Sequence, residues 1–165
     1  MIKEDYRIVL VSDEYFKKYN SIFVEMLDPT DIRKQSHRMY IFLEILFNEN
    51  NILVPLRTNL PNLKTHGLIG YPVPSEKKPN AGFDYRKMLI INDNRYIIPV
   101  TELNIPSSQK KIINKNYKKI INQSKQYVKG YIKSVKKNRH LLDKKFKFST
   151  LHNFHKELCL IKETI

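Results

Sequence analysis

Arg57, Thr58 and Asn59 stand together, and Lys64 and His66 follow in the same polar stretch. These side chains suit phosphodiester cleavage in RNA without a metal ion. That reaction uses the substrate's own 2′-hydroxyl as nucleophile. The hydroxyl must lose a proton, the phosphorane charge must be neutralised, and the 5′-oxygen leaving group must be protonated. Arg57 can stabilise the phosphorane, and Thr58 and Asn59 can orient the phosphate by hydrogen bonds. His66 or Lys64 can move the proton, with the choice between them open. Arg38 and Tyr40 start the strand before the one that ends at Arg57. In an antiparallel hairpin they return to the same sheet edge, Arg38 to grip RNA and Tyr40 to stack or donate. The competing interpretation is an ordinary polar loop with Arg57 in a surface ion pair.

Other chemistries find less support. One cysteine cannot build a zinc cluster or an intramolecular disulfide. Cys159 lies between Leu158 and Leu160 and reads as packing. His152 and His155, three apart on an expected helix, read as a partly buried, hydrogen-bonded pair rather than a metal site. Phosphate-binding glycine loops and paired-carboxylate magnesium signatures are missing from the sequence. No metal and no cofactor are expected.

The charge has its own geography. Residues 1–103 hold fourteen Lys/Arg and thirteen Asp/Glu, whereas residues 104–165 hold sixteen and three. The net charge of +14 therefore belongs almost wholly to the C-terminal part. Fifteen of its sixteen cations are lysines, which attract phosphate as point charges more than they read base edges. Eighteen Tyr and Phe residues and 41% apolar content exclude a disordered basic tail. No apolar run spans a bilayer and no signal peptide is evident, so a cytoplasmic protein that does not engage a membrane is expected.

The elements that must position these groups follow from patterning. Residues 6–11 read as a strand, with Ser12 at the cap of a helix reaching about residue 19. Residues 39–47 and 52–56 read as a hairpin, and residues 87–91 and 95–98 as a second one around Asn92-Asp93-Asn94. A long helix, capped by Ser107 or Ser108, runs to about His140 with an apolar face. Off that face lie Lys111, Lys115, Lys118, Lys119, Lys125, Lys129, Lys133 and Lys136, candidates for tracking an RNA backbone. Residues 145–148 alternate like a short strand, and Ser149-Thr150 cap a last helix over 151–158. The whole of residues 1–165 reads as one α+β domain.

The pattern Arg38-Met39-Tyr40-Ile41, an apolar strand, then Val54-Pro55-Leu56-Arg57-Thr58-Asn59 resembles the toxins of type III toxin–antitoxin systems. These are the ToxN, AbiQ, CptN and TenpN endoribonucleases, and the CptN and TenpN branches are the most similar. Gly82-Phe83-Asp84-Tyr85-Arg86-Lys87 and the stretch from Lys147 to Leu158 match further along, in order. Asn59-Leu60 stand where ToxN-type members carry Pro-Lys. The resemblance implies a compact, mainly antiparallel PemK/MazF-like (SH3-like) barrel elaborated with helices, the long basic amphipathic one among them. It implies a metal-independent endoribonuclease that leaves a 2′,3′-cyclic phosphate. It also implies inhibition by a pseudoknotted antitoxin RNA in a closed assembly of toxin and RNA units, serving abortive infection. The alternative is a non-catalytic basic module that binds RNA or DNA.

Overall fold

β-Branched residues and buried alternation make Tyr6–Val11 a strand, β1, with Val9 and Val11 turned into the core. The computed structural model describes residues 6–27, 41–61, 63 and 68–161. After β1 comes α1 (Asp13–Tyr19), with Asp13 and Glu14 in its first turn, where they favour the positive helix end. Ser12 holds the cap position, but its side chain makes no capping bond.

β2 (Phe42–Phe47) and β3 (Asn50–Arg57) form the expected hairpin, in register from Phe42 opposite Pro55 to Phe47 opposite Asn50. The remaining strands are β4 (Gly70–Pro72), β5 (Gly82–Asp84), β6 (Leu89–Ile90) and β7 (Ile97–Pro99). The antiparallel sheet runs β4-β5-β3-β2-β1-β7, with β6 also paired to β3. The resemblance implies a PemK/MazF-like barrel. The hydrogen-bonded path among the described residues is open, with β4 and β7 at its ends.

The second expected hairpin does not form. β6 pairs with β3 (Ile52 opposite Ile90), and β7 pairs with β1 (Val11 opposite Ile97). The Asp93 side chain accepts from Arg95 N at 3.0 Å and starts a one-turn 3-10 helix, Asn94–Tyr96. That turn carries the chain across the sheet instead of folding it back on β6.

The long helix is α2 (Ser107–Lys136), thirty residues or roughly 45 Å. It follows Pro106 directly and has no side-chain cap. Ile113, Ile120, Tyr127, Val128 and Tyr131 bury its inner face, and Tyr85 Oη donates to Gln123 Oε1 at 2.8 Å. The expected strand over 145–148 is a run of turns. Phe146 is buried against Tyr127 and Tyr131, with ring centres 5.1 and 5.7 Å away, while Phe148 stays exposed. Packing on α2, rather than a strand partner, satisfies that alternation. The expected last helix is a 3-10 helix, Thr150–Asn153, followed by turns. Ser149 does cap it, accepting from Leu151 N at 3.1 Å. Asn153 bonds Val24 through both its amide atoms, and that anchoring competes with a regular helix.

Candidate active site

β3 ends at Arg57, and β5 lies beside it because Leu56 pairs with Phe83 and Arg57 with Gly82. This junction leaves no room for a side chain at Gly82. A Cβ there would stand 2.3 Å from Leu60 Cδ1 and 2.4 Å from the Tyr71 carbonyl. Asp84, the last residue of β5, is fully buried. Its Oδ2 accepts from Arg57 Nη1 at 2.7 Å and from Arg86 Nη2 at 3.0 Å. Its Oδ1 accepts from Arg86 Nε at 3.2 Å and from Arg86 N at 3.0 Å. The last of these bonds caps the one-turn 3-10 helix Tyr85–Lys87. One carboxylate therefore orients two guanidinium groups.

The surrounding chain fixes this arrangement. The Thr150 hydroxyl donates to the Met88 carbonyl, with the Arg86 carbonyl at 3.2 Å. Lys87 Nζ donates to the carbonyls of Glu25 and Phe148, both at 2.8 Å. Burial pushes the Lys87 ammonium below its ordinary value. Thus β5, the segment after α1 and the C-terminal turns all hold the strand end that presents the arginines.

Arg57 keeps 27% of its side chain exposed, against 10% for Arg86. Among the described residues its side-chain bond goes to Asp84 through Nη1, one of the five N–H donors a guanidinium carries. Among the described residues, two guanidiniums against one carboxylate leave an excess positive charge here. Thr58 and Asn59 follow at once and are exposed. Leu60 N then donates to Asn80 O at 2.7 Å, and an open cleft of about 430 Å³ adjoins, lined largely by Leu60, Pro61, Leu63, Pro72 and Pro79. Chemically, two oriented guanidiniums with a hydroxyl and an amide beside them suit an anion.

Tyr40, Arg38, Lys64 and His66 lie outside the described residues. On α2, Lys111, Lys115, Lys118, Lys119, Lys129, Lys133 and Lys136 are exposed, and Lys125 is half-buried. Most of them recur at steps of three and four opposite the buried face, which makes one stripe. Lys119 Nζ lies 5.9 Å from the Tyr71 ring centre, and Tyr71 pairs with Phe83 beside the arginine site. Asp84 and Arg86 carried no role in the reading of the sequence. Their signal was an acid two residues before an arginine, in a segment that repeats no periodic pattern. His152 and His155 are hydrogen-bonded as expected, both to the Tyr131 hydroxyl.

No family model and no curated protein matches the chain. Solved structures do. AbiQ, a lactococcal anti-phage endoribonuclease belonging to the type III toxin–antitoxin system, aligns over 95% of this chain and 98% of its own, with a TM-score of 0.63 and 16% identity. A structure from a bacterial antiviral system regulated by a processed non-coding RNA aligns over 96% of this chain and 90% of its own, with a TM-score of 0.51 and 15% identity. The chain shares their fold. The ToxN/AbiQ likeness carried by its motifs is thus matched by the architecture, end to end.

Proposed function

We propose that the protein is an endoribonuclease toxin of a type III toxin–antitoxin system, nearest to the CptN and TenpN branches. The observation that carries this is the Arg57–Asp84–Arg86 cluster at the end of β3, on a fold shared with AbiQ. Arg57 supplies charge to the phosphorane as a single-stranded RNA is cleaved through its own 2′-hydroxyl to a 2′,3′-cyclic phosphate. Thr58 and Asn59 orient the phosphate, and His66 or Lys64 transfers the proton, with Tyr40 stacking or donating. No metal takes part. A preorganised donor of this kind contributes about a hundredfold to a thousandfold in rate.

The lysine stripe of α2, with Arg38, grips the RNA backbone of both substrate and inhibitor. The inhibitor is a pseudoknotted antitoxin RNA, and toxin and RNA units alternate in a closed assembly. The reaction takes place in the cytoplasm, where it serves antiviral defence by abortive infection.

Expression in a bacterial host tests this reading. Growth should stop, and should resume on co-expression of a short tandem-repeat RNA, which this reading expects to be encoded just upstream. Arg57→Ala and Thr58→Ala should each restore growth. Full toxicity of both variants would mean that the active site lies elsewhere. RNA bound but never cut, with no growth arrest, would favour the non-catalytic binding module.

A further inference from the structure

His140, His152 and His155 come together at the C-terminal end of α2, although they arise from separate turns. Each offers one ring nitrogen, and these nitrogens lie within 4.8 Å of one another. The ring centre of His140 is 5.6 Å from that of His152 and 5.7 Å from that of His155. Three imidazoles on one tetrahedral zinc ion, at ordinary Zn–N lengths, place their ring centres about 5 Å apart. The two separations from His140 already stand near that spacing.

The hydrogen bonds of His152 settle which of its nitrogens faces the cluster. His152 Nε2 lies 3.1 Å from the Lys147 carbonyl. A carbonyl only accepts, so Nε2 carries the proton and Nδ1 presents its lone pair to the cluster. Such a backbone bond is the usual outer support of a metal-ligating histidine. His152 Nδ1 and His155 Nε2 lie 2.7 and 2.6 Å from the Tyr131 hydroxyl. That hydroxyl has one proton, so it can donate to only one of them. His140 Nδ1 is buried with no hydrogen-bond partner among the described residues. An orphaned buried nitrogen costs stability unless something accepts its lone pair or its proton.

We propose that His140, His152 and His155 form a binding site for a borderline divalent cation of the zinc class, distinct from the arginine site. Three imidazoles without thiolate or hard oxygen donors suit zinc, cobalt or nickel over magnesium or calcium. Bound there, the ion ties the turn after α2 to the 3-10 helix Thr150–Asn153 and its following turn. Its place is structural, so metal-free cleavage chemistry elsewhere is compatible with it.

The test uses the full-length protein, stripped with chelator and titrated with cobalt(II) and zinc(II). Cobalt should bind at one equivalent per chain with the intense visible bands of a tetrahedral nitrogen-rich site, and zinc should displace it. Zinc should also raise the melting temperature. His140→Gln and His155→Gln should each lose the bands and weaken zinc binding at least tenfold. Tyr131→Phe should keep the bands. A weak octahedral cobalt spectrum in the wild-type protein would overturn the proposal, whether or not the variants fold. Binding unchanged in a folded His140→Gln protein would overturn it as well. RNA cleavage is not the readout, so the result stands apart from the fate of the nuclease assignment.

Discussion

At the residue scale, Asp84 determines where the Arg57 and Arg86 guanidiniums point. It accepts four hydrogen bonds with no solvent exposure, three from Arg86 and one from Arg57. Asp84→Ala strands two guanidiniums in a buried setting, so it should cost about 3–5 kcal/mol in denaturant unfolding. Arg57→Ala leaves the Asp84–Arg86 pair in place and should cost much less, about 1–2 kcal/mol. The contrast between them separates the residue that holds the site from the one proposed to act in it. Arg57, Thr58 and Asn59 stand out in the sequence as candidates because their types and adjacency suit that chemistry, and the proposed function rests on them as candidates. Asp84 was not, because its meaning comes from the pairing of β3 with β5. Periodicity reports that a segment alternates, but it does not say which strand will lie beside it.

At the element scale, the β2–β3 hairpin turns on two residues, Asn48 and Glu49, at φ of 48° and 67°. Two positive φ values fit the tight turn whose twist matches the flanking strands. Asn adopts that conformation readily, whereas Glu49 adopts it at a cost of roughly 1 kcal/mol. Glu49→Gly should therefore stabilise the protein by about 1 kcal/mol, read as a higher denaturation midpoint with an unchanged slope. This hairpin was legible because both its strands and its turn are local. The pairing of β6 and β7 was misread for the opposite reason. Leu89, Ile90 and Ile97 have strand character, but their partners Leu53, Ile52 and Val11 lie far away in sequence. The C-terminal segment was misread as strand and helix because Phe146 and Asn153 find tertiary partners that override local preference.

At the scale of the whole molecule, the net charge of +14 is not the site. The arginine cluster lies in the part of the chain where charge nearly balances, and the excess lies mainly along α2 and the turns after it. On the proposed reading the two parts divide the work, with α2 gripping RNA and the β3 end cutting it. A triple change of Lys111, Lys115 and Lys118 to Gln should weaken RNA binding and reduce the slope of log affinity against log salt by about 2. The helix content should not change, because all three side chains are exposed. The measurement that bears most directly on the proposed function is cleavage of single-stranded RNA by the purified protein in EDTA, at a temperature where the chelated protein is shown to be folded. The reading predicts products with 2′,3′-cyclic phosphate ends, and a loss of at least a hundredfold in rate for folded Arg57→Ala. Absence of cleavage by the folded wild-type protein, or an undiminished rate in Arg57→Ala, would contradict it.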